Sequence, residues 1–463
     1  VTTPDLRCVV AGPPLEPSGL AATLPAQLLH DVATFGPAVA VRVKELGRWR
    51  EVTWEQLGDL VAGVAAGLRA LGVTEGDRVA IASSGRVEWW CVDLAAQGIG
   101  AVSVGIDPGM DAPAVGAELA HSGASVLVAE DQEQLDKAIE ASAACPALRH
   151  IVVIDPLGVD LDDPKVSSFE RLAAGAGAST PFADFGAQVA TLDPARPATI
   201  VYRVDADGPK GVVLSHANLM AAADTIGQLD RFTSDDEILS YLPPCHIAER
   251  LVTEVAGLAW RAVVNFGTGI EGLATDLRTV QPTVLFGVPP VWTKMHAGVE
   301  ARMGDATRTK RALFARARRA RGGLWSLLMQ RPLRAKLGLS RARLALSGGA
   351  ALPAEVLEFF AWLGVPVLEG FGQAETTALA TVNRPGSARA GTFGPPVPGV
   401  EIAVSPVGEV LVRGPAVMLG YHGSDTPAVD PDGWFHTGTT GAVVDGSLTL
   451  VASDDHPKEA APA

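Results

Sequence analysis

Residues able to grip a phosphate group stand together between Thr199 and Asn218, in the run TIVYRVDADGPKGVVLSHAN. A β-branched stretch leads into a short polar turn with Gly208, Pro209, Lys210 and Gly211, and a second apolar stretch follows. That is the order of a strand, an anion-holding turn and a second strand. Such a turn needs small residues so that backbone N–H groups can approach the anion, a lysine as point charge, and hydroxyls as donors. The glycines and the lysine are present. Where hydroxyls would serve stand Arg203, Val204, Asp205, Ala206 and Asp207, and two carboxylates repel a phosphate. Asp205 and Asp207 lack a third ligand nearby and so do not read as a metal site. Lys210 reads as a phosphate ligand or as an exposed side chain. Three further places offer chemistry. Glu375, in GFGQAETT, is either a carboxylate for a divalent cation or a charge at a helix start. His246, in YLPPCHIAER, is either a pocket imidazole or a satisfied, partly buried one. Ser347, Gly348 and Gly349 form a strand-to-helix turn, and the glycine pair also lets a flat base or an acyl chain approach the backbone.

These residues must be held by a scaffold, and the patterning predicts one. Thr53 to Gly72 has apolar residues at helical spacing and ends at glycine; Gly76 to Ser83 reads as a buried strand. Helix then follows at Glu88 to Gly98, strand at Ala101 to Ile106, helix at Val115 to His121, strand at Ser125 to Ala129, helix at Gln134 to Ala144 and strand at His150 to Ile154. This alternation predicts a parallel, doubly wound sheet. A looser stretch near Ala173 to Pro197 precedes further strands at Glu237 to Tyr241, Ala262 to Phe266, Thr283 to Val288, Leu344 to Leu346 and Val365 to Glu369. After Gly391, short β-like pieces between Pro and Gly turns predict a small β-barrel or meander. The expected division is an N-terminal α/β subdomain over 1–190, a second over 191–390 and the β subdomain over 391–452.

At 463 residues the chain exceeds what one core supports, and 48% hydrophobic residues argue against disorder. A net charge of −15 makes nucleic acid an unsuitable partner for the whole surface. Cys8, Cys91, Cys145 and Cys245 lie far apart with no CxxC pair, so they read as buried or incidental thiols of a reducing compartment and not as a disulfide framework or a zinc site. The first residues lack a basic segment followed by an apolar one, and no uncharged apolar run reaches the roughly 20 residues of a membrane-spanning helix. A cytoplasmic protein is expected. Arg302 to Arg343 stands out, with 13 Arg/Lys against one acid, Asp305, and with the apolar run GGLWSLLMQ among the arginines. It reads as a solvated helical hairpin, as a contact for an anionic membrane surface or as a nucleic-acid contact.

Taken in order, GDRVAIAS with the EWW that follows, GPKGVVLSHANL, YLPPCHIAER, PTVLFGVPPVW, LALSGGAALP, GFGQAETT, GEVLVRGPAVMLGYH and DGWFHTGTTG resemble the AMP-forming acyl-CoA synthetases of the adenylate-forming superfamily, and the long-chain fatty-acyl branch in particular. The resemblance runs from about Thr23 to the C-terminus. It implies an α/β fold of two stacked, helix-flanked sheets plus a small β-barrel, and fatty-acid:CoA ligation through an acyl-adenylate. It also implies Mg²⁺, ATP and coenzyme A. Residue by residue, Gly208, Pro209, Lys210 and Gly211 match the phosphate loop, but its TSGTTG hydroxyls are missing from RVDADG. His246 matches the acyl-pocket histidine, with Gly348 and Gly349 beside the acyl chain. Ser347, Gly348, Gly349, Phe371, Gly372 and Thr439 fall at nucleotide-contacting positions, and Glu375 at the Mg²⁺-associated carboxylate. Ala374 stands where a threonine is expected, and Thr439 where a ribose-binding aspartate is. DDHPKEA resembles a hinge motif, with Asp455, Lys458 and Glu459 in place and His456 where arginine belongs; 453–463 is expected to be a hinge remnant with the family's mobile C-terminal domain absent. The departures fall on phosphate, ribose and hinge contacts and spare the acyl-side glycines. Weak or absent ATP turnover by this chain alone is therefore expected, with a non-catalytic acyl-binding or partner-binding role as the alternative. An intact synthetase or a separate C-terminal domain would be the protein partner.

Overall fold

Short β-branched runs and amphipathic helices alternate because each buries one face against the next layer. In the computed structural model, which describes residues 6, 8–177, 181–205, 208–230, 232–319 and 324–451, three sheets result. The first sheet orders its eight strands Gly420–Tyr421, Gly208–Ser215, Pro197–Asp205, Val102–Ile106, Arg78–Ala82, Val126–Ala129, His150–Val153 and Val166–Ser168. From Pro197–Asp205 to Val166–Ser168 it is parallel, as the alternation predicts. Ile81 and Val128 of this sheet point into one apolar cluster, Ala80 and Leu127 into another. Both faces are thus covered, which is why the central runs 79–82 and 126–129 are apolar without interruption.

The second sheet orders Thr381–Val382, Val367–Phe371, Leu344–Ser347, Val284–Phe286, Glu237–Ser240, Val263–Phe266, Val39–Glu45 and Arg48–Thr53. Its apolar face shares one core cluster with the inner face of the first sheet, Val41, Ile238 and Val264 meeting Leu57, Val61, Trp89 and Val79. The helices Trp54–Ala70 and Val87–Gly98 supply the middle of that cluster. Trp54–Ala70 begins at a reciprocal cap in which Gln56 N donates to Thr53 Oγ1 and Thr53 N donates to the Gln56 side chain, so its start is set within the local sequence.

Two expectations need correction. The chain does not fill the sheets in order: the hairpin Val39–Glu45/Arg48–Thr53 joins the second sheet, while Pro197–Asp205 and Gly208–Ser215 join the first. A boundary near residue 190 therefore does not separate the two sheets. The C-terminal β region is an open antiparallel sheet, Cys8–Ala11, Glu401–Val404, Glu409–Arg413, Phe435–Val444 and Ser447–Leu450, and not a closed barrel among the described residues. Its outer strand comes from the chain's beginning, which no local pattern announces. The stretch 173–197 contains the helix Pro181–Val189. No helix of the described residues is long and apolar enough to cross a membrane.

The basic segment folds largely as helices Arg308–Arg319 and Leu324–Leu337. Phe314 and Ala317 anchor the first helix, while Arg308, Lys310, Arg311, Arg316 and Arg319 are exposed. Two of the block's arginines are paired inward: Arg318 with Glu300 at 2.7 Å, and Arg343 with Asp230 and Asp236 at 2.7 and 2.6 Å.

Candidate active site

The strands Pro197–Asp205 and Gly208–Ser215 pair antiparallel, with Gly211 opposite Tyr202, Lys210 opposite Arg203 and Gly208 opposite Asp205. Ladder pairing thus runs through the residues expected to wrap an anion, up to the two positions between Asp205 and Gly208. Asp207 and the side chain of Asp205 lie outside the described residues, as does the hinge segment 453–463. Arg203 projects toward a residue 172 positions away: its Nη1 donates to Glu375 Oε1 at 2.8 Å. Glu375 sits in the turn Ala374–Thr376 with a fully buried side chain. The Tyr421 hydroxyl donates to the same Oε1 at 2.9 Å. Among the described residues Oε2 has no partner. The Lys210 ammonium lies over the Tyr421 ring, 4.0 Å from its centre. Two cations, one phenol and one buried carboxylate therefore gather where the phosphate residues converge. A guanidinium held at that distance from a carboxylate makes a charge-assisted hydrogen bond, among the stronger polar contacts a protein offers.

The neighbouring segments complete the surroundings. Gln373 Nε2 donates to Thr437 O at 3.1 Å and to Thr439 Oγ1 at 3.3 Å, tying the Glu375 turn to the strand Phe435–Val444. Thr439 offers one hydroxyl there, already used as an acceptor. Phe371 closes the strand Val367–Phe371. Gly372 is required by its own loop, since a Cβ would fall 2.1 Å from Ala378 O. The Ser347–Gly349 turn follows the adjacent parallel strand, Ser347 pairing with Glu369. Beside Gly349, at φ +91°, a Cβ would meet no atom within 4 Å, so this turn borders open space. Ser347 Oγ is buried and has no partner among the described residues.

His246 belongs to a second group. It begins the short helix Ile247–Arg250, is half exposed, and places Nε2 3.7 Å from Asp107 Oδ2. The residues after it brace its loop. Glu249 Oε1 accepts from Ser240 Oγ at 2.9 Å and from Tyr241 N at 3.3 Å. Burial pushes its carboxyl up to about 8 despite those bonds. Arg250, nearly sealed from solvent, pairs with Asp93 and with Glu254 (3.1 Å), bonds Thr199 Oγ1 (2.6 Å) and lies over Trp89. It thereby ties the His246 loop to the first sheet and to helix Val87–Gly98. The motif's Glu and Arg are structural; only His246 faces outward.

Sequence reasoning named Glu375, Lys210, Phe371, Gly372 and Thr439; in the fold Glu375 and Lys210 both meet Tyr421, and Gln373 ties the Glu375 turn to Thr439. It missed Arg203, Tyr421 and Gln373 as contributors. The signal for Arg203 was present, a bulky cation at the first hydroxyl position, but its target was not legible.

The chain as a whole is similar to known proteins. The model of the AMP-binding enzyme family matches residues 28–422. A long-chain-fatty-acid–CoA ligase, FadD15, of Mycobacterium bovis is 33% identical over 434 residues, spanning 87% of this chain and 70% of the relative. The peroxisomal long chain acyl-CoA synthetase 7 of Arabidopsis thaliana is 28% identical, over 90% of this chain and 64% of that protein. In fold, the chain superposes on the N-terminal domain of FACL13 from Mycobacterium tuberculosis with a TM-score of 0.72 at 21% identity, covering 93% of this chain and all of that one. An anthranilate CoA ligase, AuaEII, crystallised with anthranoyl-AMP, gives 0.71 at 22% identity, covering 92% and 76%. With the phosphate strand, the Glu375 turn and the His246 loop all in place, the chain belongs to the AMP-binding enzyme family, among homologues of the long-chain fatty-acid–CoA ligases.

Proposed function

We propose that the lineage function of this chain is long-chain fatty-acid:CoA ligation through an acyl-adenylate, with adenylation by the chain alone held to a trace. The family uses ATP, Mg²⁺ and coenzyme A. The residues present do not fit Mg²⁺·ATP as arranged. The carboxylate expected beside the metal has Oε1 engaged by Arg203 and Tyr421, and a guanidinium repels a dication. The loop hydroxyls that would hold phosphate oxygens are absent, and the Thr439 hydroxyl accepts from Gln373. No step is assigned to the metal or the nucleotide on this geometry. The acyl side keeps what it needs: a glycine turn that is open at Gly349, an outward imidazole at His246 and a braced loop beneath it. The Arg203–Glu375 pair is the observation that carries the reading. The same pair supports a second reading, a protein that binds acyl chains without activating them.

Two measurements separate these readings. A fluorescent long-chain fatty acid should bind with micromolar affinity and be displaced by an unlabelled one, since binding draws on about 0.8 kcal/mol per buried CH₂ and needs no phosphate donor. Pyrophosphate release with Mg²⁺·ATP and a fatty-acid panel should be at trace level in the parent and measurable in Arg203→Ser. Binding with no release in either protein favours the second reading. Failure of every chain length to bind removes both. The exposed cations of helix Arg308–Arg319 support a peripheral contact with anionic lipid, where such a substrate is dissolved.

A further inference from the structure

Apart from the nucleotide side, a thiol, an imidazole and a carboxylate meet at the C-terminal end of the strand Val102–Ile106. Asp107 follows that strand and belongs to the first sheet, whereas Cys245 and His246 lie on the loop that follows Glu237–Ser240 of the second. They meet because residue 105 is glycine: a Cβ there would fall 2.8 Å from Cys245 Cα and 3.0 Å from Cys245 Cβ, so any larger residue would push the loop away. The Cys245 Sγ, a ring nitrogen of His246 and an Asp107 carboxylate oxygen all lie within 4.8 Å of one another. Asp107 Oδ1 is held by Gly109 N at 2.8 Å, which fixes the carboxylate and leaves Oδ2 toward His246. A thiol, an imidazole and a carboxylate from two sheets thus converge on one point with sulfur, nitrogen and oxygen donors.

We propose that Asp107, Cys245 and His246 bind a divalent metal ion of the Zn²⁺ class. Sulfur, nitrogen and oxygen donors together select a borderline-soft ion over Mg²⁺ or Ca²⁺, which take oxygen alone. Tetrahedral zinc at the usual bond lengths puts its ligand atoms about 3.3–3.8 Å apart, so the side chains close by no more than about 1–1.5 Å, and His246 and Asp107, at 3.7 Å, already stand in that range. His246 is half exposed and free to rotate that far. The thiol proton leaves to solvent as the metal–sulfur bond forms. Three protein ligands leave a fourth position for water. Because the ligands come from the two large sheets, the ion also clamps the His246 loop to the end of the first sheet. This site is independent of the nucleotide reading above.

The test uses the whole chain, stripped with chelator and desalted, and titrated with Co²⁺ and then Zn²⁺. One equivalent of Co²⁺ should produce a sulfur-to-metal charge-transfer absorption and visible ligand-field bands that Zn²⁺ abolishes. Cys245→Ser should lose the charge-transfer absorption although Cys8, Cys91 and Cys145 remain. His246→Ala and Asp107→Asn should each weaken Co²⁺ binding at least tenfold. Zn²⁺ should raise the thermal midpoint of the parent and leave that of Cys245→Ser unmoved. His246 is exposed enough that its replacement cannot unfold the chain, so it carries the test if the cysteine variant misfolds. Absence of the charge-transfer absorption in the parent, its persistence in Cys245→Ser, or unchanged Co²⁺ affinity in His246→Ala overturns the proposal.

Discussion

Replacing Arg203 by serine removes the cation that holds Glu375 and returns a hydroxyl to the phosphate strand. The stability cost follows from burial. Two unit charges 4 Å apart attract by about 4 kcal/mol at an effective dielectric near 20. The Glu375 side chain is fully buried, but that of Arg203 is 34% exposed. The net loss therefore lies between an exposed pair, about 0–1 kcal/mol, and a fully buried one broken on one side, about 3–5 kcal/mol. We expect about 2 kcal/mol. The Tyr421 hydroxyl remains and prevents the larger figure. The uncompensated carboxylate then becomes a site that gains from a metal cation, whereas in the parent a cation must first displace the guanidinium. Thermal unfolding of parent and variant, each with and without Mg²⁺·ATP, reads both effects. The variant should melt lower without ligand and recover most of the difference when Mg²⁺·ATP is added; the parent should scarcely respond. Equal stability of the two proteins without ligand would refute the buried-pair reasoning. A parent stabilised by Mg²⁺·ATP as much as the variant would refute the claim that Arg203 closes the site.

Glu249 keeps its proton up to about pH 8 in the folded chain but only to about 4.5 when unfolded, so its burial costs increasing stability as pH rises from about 4.5 to about 8 and no more beyond that. Glu249→Gln keeps the acceptor for Ser240 and Tyr241 and should match the parent at pH 5, while exceeding it on the order of 3 kcal/mol at pH 8; parallel pH profiles for the two would contradict this. Arg250→Met strands Asp93 and Glu254 in the core and should destabilise by about 3–5 kcal/mol, seen as a lower melting point and poorer soluble yield. At about 1 kcal/mol per basic residue near an anionic surface, three or four engaged cations among Arg308, Lys310, Arg311, Arg316 and Arg319 suffice for detectable binding. The protein should co-float with phosphatidylserine vesicles at low salt and be released at high salt; no co-flotation at low salt would end that idea.

Element positions were legible in the sequence because they depend on neighbours a few residues away. The helix Trp54–Ala70 is set by its own cap and apolar spacing, and the strands Arg78–Ala82 and Val126–Ala129 by short apolar runs rich in Val and Ile. The candidate site residues were equally legible as types: a lysine among glycines at Lys210, a carboxylate at Glu375, an imidazole at His246. Their contacts were not, because contact depends on which strands lie side by side, and that is decided by how large apolar faces find cover. Burying the helices between two sheets is what sends Val39–Glu45 to the second sheet and Pro197–Asp205 to the first. The edge strand Cys8–Ala11 likewise closes the third sheet only because its partner at Glu401–Val404 lacks a neighbour on that side. From sequence alone, Arg203 was a missing hydroxyl. Only the tertiary structure makes it the counter-ion of Glu375, and only Gly105, by leaving room for the Cys245 backbone, brings a thiol and an imidazole to Asp107.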